Sequence, residues 1–209
     1  RLLIAEPRGD DFEVIDAFSR AVRLGEGVSG SNLLSETAQT RAIKALRICA
    51  GKIRHHRARH MRIVATEACR RAQNGPAFIE RAAKLTGLHL DIISAEEEAR
   101  LAVAGCAPLI EPTADQLLVF DIGGGSTELI WIDLGGIDPE ERGAVVRGLS
   151  PFNGLSSRAS RAAGSRITDW ISVPMGVSTL CDQVPPGTGD ERARCAAMAA
   201  LFEEALDPF

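Results

Sequence analysis

Apolar and polar residues alternate along the first stretch of the chain, then give way to a helical spacing. Arg1 to Ala5 reads as a strand, Pro7-Arg8-Gly9-Asp10 as a turn, and Phe12 to Phe18 as a second strand. Ala21 to Leu24 reads as a third strand. Ser35 is placed to cap a long helix whose apolar positions include Ala42, Leu46, Cys49, Ala50 and Ile53. Met61 to Ala65 is a short strand. One or two helices follow, broken near Asn74-Gly75-Pro76 and stopped at Gly87. Leu88 to Ile93 is another strand, and Ser94 with Glu97 has capping-box spacing at the start of a helix reaching about Gly105.

This order, a three-strand meander followed by alternating helices and strands, implies an α/β protein with a parallel extension. Near Leu117 the strand pattern begins again. Leu117 to Asp121, Glu128 to Asp133 and Asp169 to Pro174 form a second three-strand opening, followed by a helix over Asp190 to Leu206. The second half thus repeats the start of the first. Gly135 to Ser165, rich in Gly, Ser and Arg, is far longer than a hairpin loop and is expected to be mobile.

Composition narrows the class. The 209 residues are 45% apolar and 25% charged, ordinary values for a soluble globular protein. No run approaches the ~20 apolar residues that a membrane helix needs. The five cysteines show no paired spacing, which fits a reducing cytosol rather than a disulfide framework or zinc site. The chain opens at Arg1 inside a strand pattern, without Met, so the true N-terminus is expected upstream. A net charge of −4 argues against general nucleic-acid binding. The charge is uneven, however: residues 41–71 hold ten Arg and Lys against Glu67 alone. Such a run reads either as a solvated helix face or as a local positive field for a polyanion.

The chemistry concentrates in Asp121-Ile122-Gly123-Gly124-Gly125-Ser126-Thr127-Glu128, which joins two apolar runs. Three glycines can bring bare backbone amides around an anion, and they tolerate the positive φ that turns successive N–H groups inward. No Gly-Lys-Ser/Thr ending is present and a strand follows the loop, so it is not a Walker loop. A plain hairpin turn needs fewer glycines, so a phosphate cradle fits better. Asp121 and Glu128 flank the loop as candidate ligands for a metal bridging the same phosphate. Glu96, Glu97 and Glu98 stack in the first turn of the helix after Ser94, where the helix dipole alone accounts for acids. Glu97 is assigned to the cap and Glu96 to solvent. Glu98 is left to face the glycine loop, where a carboxylate can activate water. Arg70 follows the strand ending at Ala65 and fits a forked phosphate contact or a surface arginine equally well. His56 and His60, four apart in an Arg-rich run without a carboxylate, fit a basic face better than a metal pair.

Ala65 to Asn74, Ser94 to Leu101 and Asp121 to Leu129 together resemble, in order and spacing, the exopolyphosphatase / guanosine pentaphosphate phosphohydrolase family. Arg23-Leu24-Gly25-Glu26-Gly27 and Val173-Pro174-Met175-Gly176-Val177 are weaker matches, and the likeness spans residues 1 to about 184. The resemblance implies an actin-like ATPase fold of two ribonuclease H-like lobes with mixed sheets flanked by helices, the first over 1–107 and an incomplete second over 108–209. It implies hydrolysis of a terminal phosphoanhydride in inorganic polyphosphate or guanosine pentaphosphate. By this likeness Glu98 activates water, Gly123, Gly124, Gly125, Ser126 and Thr127 cradle the phosphate, Arg70 grips it, and Asp121 and Glu128 serve Mg2+. A cytoplasmic location, no nucleic-acid or membrane partner, and a homodimer as one compatible assembly are also expected.

The pattern departs from the family at several points. Its first phosphate loop would end just before Arg1 and its later glycine-rich loop would fall beyond Phe209, so these residues alone are not expected to close a complete site. Ala95 stands where a glycine is usual, and Glu67 where a small or polar residue is usual. Two other functions are compatible with the loop: a non-catalytic sensor of polyphosphate or an alarmone, and an ATPase or kinase of the same fold. The latter leaves the Glu-Glu-Ala-Arg helix start unexplained.

Overall fold

The computed structural model describes residues 1–9, 11–149, 166–187 and 189–207. By contacts they divide into two compact units, Arg1–Ile92 and Ile93–Phe209. The lobe boundary read from the sequence lies later, at 107/108. The helix after Ser94 joins the second unit because it packs on the second unit's sheet.

In the first unit, β1 (Leu2–Arg8) and β2 (Asp11–Phe18) form an antiparallel hairpin. Pro7 and Arg8 belong to β1, paired with Phe12 and Asp11, rather than to a turn. Pro7 is tolerated because, among the described residues, β1 pairs with β2 alone, so one side of the strand needs no N–H donor there. The third strand expected at Ala21 to Leu24 does not form. Arg41 Nε donates to the Val22 carbonyl at 3.0 Å and its Nη2 to the Arg23 carbonyl at 3.3 Å. Arg23 itself turns to φ 47°. These carbonyls are therefore taken by a side chain, and the backbone bends away from any ladder.

After α1 (Val28–Ser31), helix α2 (Glu36–His55) starts where expected, with Ser35 Oγ accepting the Ala38 N–H at 3.2 Å. It buries Ala42, Ile43, Ala45, Cys49, Ala50 and Ile53. Lys52 and His56 both reach Asp16 on β2, at 2.7 Å and 2.9 Å, and so tie the hairpin to the helix. Strands β3 (Val64–Ala65) and β4 (Asp91–Ile92) pair in parallel, each shorter than the apolar run around it. Between them lie α3 (Glu67–Arg71) and α4 (Gly75–Thr86), the latter ended by Gly87 at φ 73°. A Cβ at Gly75 would sit 2.1 Å from the Cys69 carbonyl oxygen, so only glycine lets the two helices meet this closely. Phe78, Ala82 and Cys69 fill the core beneath.

The second unit opens with α5 (Ala95–Cys106), a 3-10 turn (Ala107–Leu109) and the antiparallel meander β5 (Gln116–Ile122), β6 (Thr127–Asp133) and β7 (Ile167–Val173), in that spatial order. This is the three-strand opening that the sequence implied. Ala99 and Val103 of α5 pack on Val119, Ile130 and Ile132. The stretch expected as one long loop contains a helix, α6 (Arg142–Gly148). Residues 150–165 of it lie outside the described residues, and with them the expectation of mobility there. After β7 come α7 (Val177–Gln183) and α8 (Glu191–Leu206), which Asp190 caps. Among the described residues no helix is long and apolar enough to cross a membrane.

Arg142 is the anchor of this unit. It is buried, and its guanidinium donates to the carbonyls of Ile137, Pro112 and Ala114 and to Asp115 Oδ1. These bonds hold the segment that leads into β5. Arg142→Ala leaves three carbonyls short of a donor and is expected to cost roughly 2–4 kcal/mol in urea denaturation. Asp115 is mostly exposed, so Asp115→Ala should cost under about 1 kcal/mol. Equal losses in the two variants would contradict the assignment of the carbonyls as the main partners.

Candidate active site

Strand alternation sorts the second sheet into two faces. Val119 and Asp121 share a face on β5, and Glu128, Ile130 and Ile132 share it on β6, since Asp121 pairs with Glu128 and Val119 with Ile130. This is the face that α5 covers. Toward the loop the same face turns from apolar to acidic, and Glu98 lies on α5 one residue before Ala99, which packs on this face. The other face leaves Leu118, Phe120, Ile122 and Trp131 exposed, with Phe120 against Phe202 of α8.

The glycine loop is a tight hairpin connection. Gly123 N–H donates to the Ser126 carbonyl at 2.8 Å, so that amide is already used. Neither Gly123 nor Gly124 takes a positive φ, so conformational freedom does not explain them. Close approach is the reason at Gly123, where a Cβ would lie 3.0 Å from Ser126 O. The start of α7 holds the loop from behind. Val177 N–H donates to Gly123 O at 3.1 Å and Ser178 N–H to Gly124 O at 2.7 Å. Thr127 Oγ1 donates to the Met175 carbonyl at 2.7 Å. A Cβ at Gly176 would sit 2.5 Å from Gly123 O and 2.8 Å from Gly124 C. With the Gly123 and Gly124 carbonyls fixed in this way, the amides of Gly124, Gly125 and Ser126 make no backbone hydrogen bond among the described residues and are the loop's candidate donors for an anion.

Glu128 is the most constrained side chain. It is 1% exposed. Ser172 Oγ donates to its Oε1 at 2.8 Å, while Oε2 is buried with no hydrogen-bond partner among the described residues. Burial pushes the carboxyl above its ordinary value, the Ser126 and Ser172 hydroxyls oppose that, and the negative charges of Glu98 and Asp121 add to it. Glu98 and Asp121 thus lie within electrostatic reach of Glu128. Among the described residues no three His, Cys, Asp or Glu side chains are arranged to enclose a metal by themselves. Mg2+ commonly takes only one or two carboxylates and completes its shell with water and phosphate oxygens. An orphaned carboxylate oxygen opposite Asp121 fits that kind of site.

The remaining residues singled out in the sequence divide. Ser94 Oγ accepts the Glu97 N–H at 3.1 Å, as the cap requires. Glu96 is not simply solvated: it pairs with Arg100 at 2.9 Å, one turn on. Arg70 lies in the first unit on α3, directly after β3, half-buried and 3.3 Å from Glu67. His56 bonds Asp16, as a structural histidine does. Sequence reasoning missed Ser172 and Gly176 as supports of the site. The Val-Pro-Met-Gly-Val match was the available signal for Gly176.

A family model for the Ppx/GppA phosphatase family matches residues 3–208. Solved structures agree in fold. An exopolyphosphatase-like protein is 24% identical with TM-score 0.75, covering 99% of this chain and 56% of its own. An exopolyphosphatase from Cytophaga hutchinsonii is 23% identical with TM-score 0.74, covering 99% and 56%. The Aquifex aeolicus PPX-GPPA enzyme is 24% identical with TM-score 0.63, covering 99% and 58%. The chain thus spans little more than half the length of these structures. The mixed α/β architecture is the actin-like ATPase fold of these neighbours. With nearly its whole length matched, and with the glycine loop, the acidic α5 start and the α3 segment in family order, the chain belongs to the Ppx/GppA phosphatase family.

Proposed function

We propose that this chain carries the water-activating and phosphate-binding residues of a phosphoanhydride hydrolase. The substrate would be the terminal phosphate of inorganic polyphosphate or guanosine pentaphosphate. The observation that carries the reading is the convergence of Glu98, Asp121 and Glu128 beside a glycine loop whose carbonyls are held by its own support. A loop alone binds phosphate. A carboxylate beside that phosphate, on a helix rather than on the strands that flank the loop, supplies a base.

In this scheme the amides of Gly124, Gly125 and Ser126 hold the terminal phosphate oxygens. Glu98 orients a water for in-line attack on phosphorus and takes its proton as the P–O bond forms. The bridging oxygen leaves with the electrons of the broken bond. Asp121 and Glu128 would hold Mg2+, which when bound offsets charge on the phosphate oxygens. Ser172 keeps Glu128 oriented. Arg70, in the first unit, is a further candidate for phosphate binding, since a guanidinium can make a forked contact.

Two outcomes test this. In the intact protein with Mg2+, Glu98→Gln should lower phosphate release from both substrates by about 10²-fold or more while leaving the fold intact. Unchanged release would sink the assignment, and saturable polyphosphate binding without release by the wild type would favour a sensor instead. The second outcome concerns Glu128. Because its carboxyl is raised in the fold, its contribution to stability is full below the ordinary carboxylate range and is lost as pH rises through the folded value. Metal-free Glu128→Gln should therefore melt higher than wild type at pH ~7, and should lose the rise in melting temperature that Mg2+ gives the wild type. An equal Mg2+-dependent rise in both proteins would remove Glu128 from the metal site.

A further inference from the structure

We propose that the outward face of α2 is a binding track for linear inorganic polyphosphate, formed by Lys44, Arg47 and Arg54 around Gly51. The track is a second contact for the substrate class proposed above and rests on that reading. Positions 44, 47, 51 and 54 fall on one stripe of a helix, opposite the stripe that buries Ala42, Ala45, Cys49 and Ile53. Lys44, Arg47 and Arg54 are exposed.

The stripe lacks the counter-charges of an ordinary solvated face. From Thr37 to Thr66 the sequence contains no Asp or Glu. The two cations at its flanks are neutralised from other elements: Arg41 by Glu26 at 2.6 Å, and Lys52 by Asp16 at 2.7 Å. Lys44, Arg47 and Arg54 make no ion pair among the described residues. Like charges one turn apart weaken a helix. The helix dipole rewards cations only in the last turn, which accounts for Arg54 but not for mid-helix Lys44 and Arg47.

Length and shape select the ligand. The ten helical steps from Lys44 to Arg54 spread the cations over about 15 Å, longer than a single phosphate group and suited to an extended polyanion. Gly51 leaves the middle of the stripe without a side chain, and nothing lies within 4 Å of where its Cβ would be. A chain of phosphates can lie close to the helix there. Nucleic acid is the other polyanion, but proteins that hold single strands add aromatic platforms, and α2 contains no Phe, Trp or Tyr. The track belongs to Arg1–Ile92, while the glycine loop and Glu98 belong to the second unit. It should therefore set affinity for long chains and leave the chemical step alone.

The test is the triple variant Lys44→Gln, Arg47→Gln, Arg54→Gln in the intact protein, with binding measured in the Glu98→Gln background so that ligand is not consumed. Affinity for long-chain polyphosphate should fall by roughly 10- to 100-fold at low salt, with a shallower dependence on salt. Tripolyphosphate affinity, melting temperature and phosphate release from guanosine pentaphosphate should not change. The charge-conserving set Lys44→Arg, Arg47→Lys, Arg54→Lys should retain long-chain binding. Unchanged long-chain affinity in the Gln variant overturns the track, as does an equal loss for tripolyphosphate or single-stranded RNA bound as tightly as polyphosphate. The two readings fail separately. Glu98-dependent release together with a neutral triple variant removes only the track. Charge-dependent long-chain binding without release by the wild type removes only the hydrolase.

Discussion

Two carboxylates on one face of a short sheet, with a third within electrostatic reach, are the constraint on which the proposed chemistry depends. Asp121 and Glu128 face each other across β5 and β6, and Glu98 approaches from α5. Glu128 is buried where ionisation is costly, and its neighbours make ionisation costlier. An apolar pair at these positions would pack on Val119 and Ile130 without this penalty. In the proposed scheme a cation and a phosphate would supply the complement that the protein leaves out.

The surroundings of those carboxylates favour rigidity. Ser172 fixes one oxygen of Glu128, and the start of α7 binds the carbonyls of Gly123 and Gly124. A loop held in this way would need little further ordering to take the anion proposed for it. Gly176 makes this possible by letting backbone meet backbone. Arg142 does comparable work at the far end of the strands, where it holds the chain that enters β5.

Much of this was legible in the sequence because local rules set it. Two-residue alternation marked β5, β6 and β7, and Ser35 and Ser94 marked helix starts through caps that form as expected. Asp121, Glu128 and Glu98 could be singled out as candidates because each sits at a fixed offset from such a local signal. What escaped notice depends on distant partners. Ala21 to Leu24 has the composition of a strand, but Arg41, nearly twenty residues on, takes its carbonyls. Ser172 gains its role only because β7 pairs with β6. The loop glycines stand out for a reason that holds only in part: Gly123 is required by proximity to Ser126 rather than by positive φ.

The convergence of the three carboxylates is tested most directly by a carbon-13 NMR titration of the Glu128 side-chain carboxyl in the metal-free protein. Glu128 is expected to titrate above the ordinary glutamate range, and to move back toward that range in both Glu98→Gln and Asp121→Asn. An ordinary value in the wild type, or a raised value that neither substitution moves, would contradict a shared site.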